Sequence, residues 1–222
     1  MTYKYETHMH TCEASKCAGS TGAEMARAHK EAGYTGIFVT DHFFNGYCRI
    51  DNSLPWAEKV ELFCKGYEGA KAEGDKIGLQ VFFGFEYCVD AAEFLVYNLS
   101  KEWLLANPDI DKWEVRPALR KMHADGAFIV HAHPFREREF IQLYPQDVDA
   151  VEVFNAAQNA NPLVNERGRW YAESYGLPQT AGSDSHFTYK MFGSGVESEV
   201  RFEKPRDYLE LLKAGKLKLL EW

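Results

Sequence analysis

Short, continuously apolar stretches alternate with longer amphipathic ones along most of this chain, and that alternation narrows the folds open to it. Residues 3–8, 36–40, 79–85, 94–97, 127–130, 149–154, 179–181, 196–202 and 217–220 read as strands. Residues 20–33, 115–125, 162–175 and 205–214 read as helices, and a further helix begins at Pro55. Their ends are marked: Ser20 or Thr21 can cap the first helix with Glu24 completing a capping box, and Gly33, Gly74, Gly126 and Gly176 follow helical stretches. Strands without polar alternation, separated by helices, predict a parallel sheet covered on both faces. Six or seven such units in 222 residues fit one compact α/β barrel over residues 1–222, with an open doubly wound sheet as the alternative.

In barrels of this class the chemistry sits at the C-terminal ends of the strands. Here those ends carry, in order, His8 and His10, then Asp41 and His42, Glu86, His131 and His133, Asn155, and Asp184 with His186. Neutral imidazole and carboxylate are the common protein ligands of Zn²⁺, Mn²⁺ and Fe²⁺. Because side chains alternate along a strand, His8 and His10 share a face, and the same reasoning applies to His131 with His133 and to Asp184 with His186. Three such pairs plus Glu86 exceed the needs of one tetrahedral ion. A cluster of two or three divalent ions is expected, with Glu86 suited to bridging two of them. Such a cluster acidifies a bound water and clamps the attacking and leaving oxygens of a phosphoryl transfer.

Five motifs occur in order: His8-Met9-His10-Thr11, Thr40-Asp41-His42, Gly84-Phe85-Glu86, His131-Ala132-His133-Pro134 and Gly182-Ser183-Asp184-Ser185-His186. Together they resemble the PHP (polymerase and histidinol phosphatase) family, over about residues 3–187. The resemblance implies a distorted (β/α)7 TIM-like barrel, a trinuclear metal site and phosphoesterase activity. Residue by residue, it implies that His8, His10, Glu86 and Asp184 hold one metal, that Glu86 and His133 share a second, and that His42 and His186 hold a third.

Two positions depart from the pattern. The family often has a further histidine after the first motif; here the stretch is Thr11-Cys12-Glu13-Ala14-Ser15-Lys16-Cys17, where Glu13 is the first substitute and Cys17 the second. It also often has a histidine in the strand after the bridging glutamate, and Glu93 stands at that place. Two carboxylates for two imidazoles would harden the site toward Mn²⁺ or Fe²⁺ rather than Zn²⁺. His131 and Asp41 can support ligands instead of binding an ion. His29 and His123 read as surface residues of helices.

The reaction expected is hydrolysis of a phosphomonoester, histidinol-phosphatase-like or of another small phosphate ester, by a metal-activated hydroxide. Asp184 belongs to the catalytic set, and His42 or His186, where no ion holds it, can protonate the leaving alkoxide. Arg136 is the leading phosphate contact, because arginine grips phosphate bidentately. Lys16 and Arg49 are further cationic candidates, and Asn155 can line the pocket. Phe43 and Phe44 fit either a substrate wall or the core.

Alternatives are an amidohydrolase-like hydrolase acting on a C–N bond, or a metal-binding nuclease or accessory domain. Against the first stands the absence of a lysine at a middle strand end, where Glu86 sits instead. Against nucleic acid stands the balance of 25 Lys+Arg to 33 Asp+Glu, a net charge of −8. No stretch approaches the ~18 apolar residues of a membrane span. The N-terminal residues contain no apolar run after Lys4, so no leader is expected. Five cysteines without a CxxC pair suit reduced thiols and a cytoplasmic protein acting on a small phosphorylated substrate.

Overall fold

The structure, a computed structural model, describes residues 2–89, 91–190 and 193–221. The first half runs β1 (Tyr3–Met9), α1 (Gly22–Glu31), β2 (Gly36–Val39), α2 (Trp56–Phe63), α3 (Lys65–Ile77), β3 (Gln80–Val89), β4 (Ala92–Tyr97), α4 (Lys101–Ala106) and α5 (Val115–Ala124). The second half adds β5 (Phe128–Ala132), β6 (Ala150–Asn155), α6 (Pro162–Tyr175), β7 (Gln179–Gly182), β8 (Gly195–Ser198), α7 (Pro205–Lys213) and β9 (Leu217–Leu220).

The strands form one sheet in the order β7-β6-β5-β4-β3-β2-β1-β8-β9. It curls until β7 lies beside β1: Met9 bridges Ser185 in parallel, Asp184 N donates to His8 O at 2.8 Å, and His10 N donates to Ser185 O at 2.9 Å. The result is the distorted α/β barrel expected. The sheet is mixed, not parallel throughout. β4 pairs antiparallel with both β3 and β5, and β8 pairs antiparallel with β1. A parallel neighbour needs a crossover of a dozen residues or so, and the two residues between β3 and β4 permit only a hairpin.

This reversal positions the site. Because β4 runs backwards, Glu93 near its start lies at the same end of the barrel as the C-termini of the parallel strands. Tyr97, at its other end, packs with Phe38, Phe128 and the α7 residue Tyr208, with ring centroids 5.1–5.8 Å apart. Tyr208 is buried and shares a 2.6 Å hydrogen bond with Thr180. That aromatic plug fills one end of the barrel and leaves polar chemistry to the other. Each buried aromatic of this kind contributes about 1.5–3 kcal/mol.

Several local expectations change. The expected α1 cap is kept, at Thr21 with the full capping box to Glu24. The helix starting near Pro55 breaks at Cys64 into α2 and α3. β3 continues to Val89, so Glu86 lies inside a strand and not beyond its end. Phe43 and Phe44 are core residues, packed with Phe63 and Phe85. His29 is buried, not on the surface: its Nδ1 donates to Met25 O at 2.8 Å, and Nε2 lies 3.8 Å from Glu6 Oε2. His123 is half-buried and pairs with Asp149 at 3.0 Å.

Candidate metal centre

Seven side chains converge at the open end of the barrel. His8 Nε2 is 3.1 Å from His10 Nε2, 3.5 Å from Glu86 Oε1 and 3.6 Å from Asp184 Oδ1. His10 Nε2 is 3.2 Å from Asp184 Oδ1. Glu86 spans the middle: Oε1 lies 3.2 Å from His133 Nε2, and Oε2 lies 2.6 Å from His42 Nδ1. His186 stacks on His10 at 4.3 Å and lies 6.0 Å from His42. Ligand atoms fall within 4.8 Å of one another in four sets: His8/His10/Asp184, His8/Glu86/His133, His10/His42/His186 and His42/Glu86/Cys88/Glu93. Glu86 belongs to two of these sets, the arrangement a bridging carboxylate needs.

The backbone is shaped for this convergence. His133 and Asp184 have φ of +25° and +56°, the left-handed region that costs a non-glycine residue about 1–3 kcal/mol. The turn at His133 also separates it from His131. β5 ends at Ala132, so the strand alternation does not carry through and the two histidines diverge. His131 is therefore not at the cluster. It stacks on Phe94 at 5.2 Å, and burial, aided by His133, pulls its pKa down to about 3.

Beneath the cluster lies a layer of holding groups. Glu152 Oε1 takes His8 Nδ1 at 2.9 Å, while its Oε2 accepts from His133 N at 3.0 Å and from Asn155 Nδ2 at 2.9 Å. Asp41 accepts from Ser15 Oγ at 2.7 Å, and Ser15 Oγ lies 3.2 Å from His10 Nδ1. Burial raises the Asp41 carboxyl to about 6 against the hydrogen bonds from Thr11 and Ser15. Glu6 Oε1 accepts from the His8 and Ser183 amides at 2.9 and 3.0 Å, tying β1 to β7. Gly182 is required for this approach: a Cβ there would sit 2.5 Å from Glu152 Oε1 and 2.6 Å from His8 Cβ.

The electrostatics favour cations. Burial opposes charge on Glu86, but His42 and His133 outweigh it and hold the carboxyl well below its usual range. Asp184 is likewise held low, by His8 and His10. Burial lowers His8, but Glu152, Asp184 and Glu86 prevail and raise it to about 10. Glu86 Oε2 is buried, and its 2.6 Å contact with His42 Nδ1 lacks hydrogen-bond geometry. A cation between these groups would supply the missing partner, so the donor set fits divalent ions.

Two expected residues are elsewhere. Glu13 is turned to the N-terminus of α1, where its carboxylate accepts from Gly22 N at 3.1–3.2 Å; the helix amide satisfies it. Asn155 is buried below the cluster, with Nδ2 3.4 Å from Asp184 Oδ2, so it steadies Asp184 instead of lining the pocket. Lys16 is exposed at the rim, 5.8 Å from the centre of the Tyr47 ring, and Arg49 is exposed with its amide on Ala14 O.

A cavity of about 410 Å³ opens above the cluster, lined by Cys17, His42, Tyr47, Glu93, Arg136, Arg138 and His186 among others. Glu93 Oε2 lies 3.6 Å from Arg136 Nη1 and in closer contact with Arg138 Nη2. Cys17 faces His186 and His42, whose hydrogen bonds overcome burial and bring its thiol down to about 7. The sequence reading passed over Arg138, Glu152 and Cys88. Arg138 follows Arg136 by two residues. Glu152 stands out as the one acidic residue within an apolar strand. Cys88 stands two positions after Glu86 on the same strand.

Comparison with known proteins agrees with this geometry. Residues 162–217 match the PHP-associated family model. An uncharacterized protein of Methanocaldococcus jannaschii is 31% identical over 159 residues, 62% of each chain. A two-domain protein of Bacteroides vulgatus containing a predicted PHP-like metal-dependent phosphoesterase superposes on all of this chain and 65% of its own, with TM-score 0.74 and 15% identity. An amidohydrolase of Chromobacterium violaceum, with bound sulfate and no metal, gives TM-score 0.62 at 11% identity, covering 97% of this chain and 98% of its own. A lesion-specific endonuclease of Pyrococcus furiosus gives 0.64 at 13%, covering 99% and 58%. This chain thus spans less than two thirds of the length of both the archaeal relative and the Bacteroides protein. The family-model match over residues 162–217 and the fold shared with a PHP-like protein agree with the five ordered motifs, which resemble those of the PHP family.

Proposed function

We propose that the protein is a metal-dependent phosphoesterase that hydrolyses a small phosphomonoester. The observation that carries this reading is the pairing of a histidine-carboxylate cluster with two arginines in one cavity wall. His8, His10, Glu86 and Asp184 would hold one divalent ion, Glu86, His133 and Glu93 a second, and His42 with His186 a third. Two or three ions of manganese, iron or zinc would, when bound, supply Lewis acidity and an acidified water.

The chain's own groups do the rest. Arg136 and Arg138 leave Glu93 to grip the phosphate oxygens and fix its orientation. His186 Nδ1 lies 2.7 Å from Asp184 O, and a carbonyl only accepts, so Nδ1 carries a proton and Nε2 is the other ring nitrogen. Against burial, Cys17 and Asp184 favour the doubly protonated ring, and in a two-ion centre that imidazolium gives its Nε2 proton to the leaving alkoxide; in a three-ion centre the neutral ring would be a ligand through Nε2. Glu152 and Ser15 hold the His8 and His10 rings in the required orientation. The substrate class also answers the net charge of −8, since bound cations reverse the local field.

We further propose a cytoplasmic location, a reading supported by its five free cysteines. No helix among the described residues is long and apolar enough to cross a membrane. The test is metal analysis of the purified protein followed by assay of a generic phosphomonoester, a phosphodiester and a cyclic amide with added Mn²⁺. Preference for the monoester supports the reading. Metal-free protein, or an unaltered rate after His8→Ala with His10→Ala, overturns it.

A further inference from the structure

β3 places Glu86 and Cys88 two positions apart, so both side chains leave the same face of the strand. Cys88 Sγ lies 3.9 Å from His42 Nδ1 and 3.6 Å from Glu93 Oε1. Together with Glu86 these residues form the set of four whose ligand atoms lie within 4.8 Å of one another. Around a tetrahedral ion with sulfur at about 2.3 Å and nitrogen or oxygen at about 2.0–2.1 Å, neighbouring ligand atoms are about 3.5 Å apart. The two Cys88 distances already have that spacing. The 2.6 Å contact between His42 and Glu86 must lengthen to admit an ion.

The surroundings hold the thiol in place. Cys88 N donates to Asn45 Oδ1 at 3.2 Å, and a Cβ on Gly46 would run into Cys88 Sγ, so the loop after β2 closes directly over the sulfur. Glu93 divides its two oxygens: Oε1 faces Cys88, and Oε2 faces Arg136 and Arg138. A histidine at position 93 could not do this, because the nitrogen opposite its ligand atom would carry a hydrogen toward the guanidinium groups. A carboxylate there links a metal position to the arginines.

We propose that Cys88 enters the metal centre as a thiolate, so that His42, Glu86, Cys88 and Glu93 form a mixed sulfur, nitrogen and oxygen position. This rests on the metal-centre reading above and revises it by adding Cys88 and by grouping His42 and Glu93 with it and Glu86 in one position. On binding, the S–H bond breaks, a sulfur–metal bond forms, and the proton leaves to solvent. The soft donor favours zinc or iron(II) over manganese at this position, whereas the carboxylate at position 93 alone would favour manganese or iron(II) over zinc.

X-ray absorption at the zinc edge, on the zinc-reconstituted full chain, tests the proposal. The expected spectrum has a sulfur shell at about 2.3 Å. That shell persists in Cys17→Ser and is lost in Cys88→Ser and Cys88→Ala. A purely nitrogen and oxygen shell in the wild-type protein overturns the proposal while leaving the metal centre standing, and needs no variant to fold. A sulfur shell lost only in Cys17→Ser also overturns it, by assigning the thiolate to the other side of His42. Failure to bind zinc at all removes both readings together.

Discussion

Glu152 Oε1 lies 2.9 Å from His8 Nδ1, and both side chains are buried. The contact fixes the proton on Nδ1 and turns Nε2 toward Glu86, Asp184 and His10. The same carboxylate receives the His133 amide, so one buried acid aligns two candidate ligands. Glu152→Gln is expected to weaken metal affinity about 10–100-fold, the range for loss of such a partner. Competition titration with a chelating indicator measures it; affinity within twofold of wild type would show that the ring is held by packing alone.

Metal removal has a stability consequence. The cluster packs three carboxylates and five imidazoles, including Glu93, into a small buried volume. A ligand that binds only the native state stabilises it by about 2.7 kcal/mol at 100 times its Kd. Added Zn²⁺ or Mn²⁺ is expected to raise Tm by several degrees over chelated protein in differential scanning calorimetry. The shift should vanish in His8→Ala with His10→Ala.

Arg136 and Arg138 share Glu93 as their acidic neighbour. If they exchange it for a substrate phosphate, Arg138→Ala and Arg136→Ala each lose a charge-assisted contact of about 1.5–3 kcal/mol. Each variant should therefore lower kcat/KM about 10–100-fold, largely through KM, with metal content unchanged. Steady-state kinetics with metal analysis separates this from damage to the centre.

His131 provides the pH prediction. Its folded pKa of about 3 lies below the ordinary histidine value of 6.5. Between these values the unfolded chain binds a proton that the folded chain does not, so stability falls as pH drops below 6.5. The slope approaches about 1.4 kcal/mol per pH unit from this group. His131→Phe, which keeps the stacking on Phe94, should flatten the loss of stability between pH 6.5 and 5 in urea melts. An unchanged slope would mean that other groups dominate acid unfolding.

The candidate site was legible where local pattern sufficed. His8 and His10 are two residues apart on a strand, and the strand period alone puts them on one face. Asp184 and His186 reach the cluster although both lie beyond β7, which ends at Gly182, so the GSDSH turn and not strand alternation brings them in. His131 and His133 broke the rule, because the backbone leaves the strand between them at φ +25°. Glu13 misled for a different reason: its proximity in sequence to His10 said nothing about the α1 amide that claims it.

The sequence by itself determined the alternation of strands and helices, the order of the motifs and the residue types that can hold a cation. These follow from periodicity, capping and ligand chemistry, all properties of neighbouring residues. Tertiary structure decided the antiparallel course of β4, which turns Glu93 into the mouth, and the burial of Glu152 under His8. It also brought Cys88, which the sequence reading passed over, to His42. Those relations join residues far apart in the chain, and only the closure of the sheet fixes the distances on which ion and phosphate binding depend.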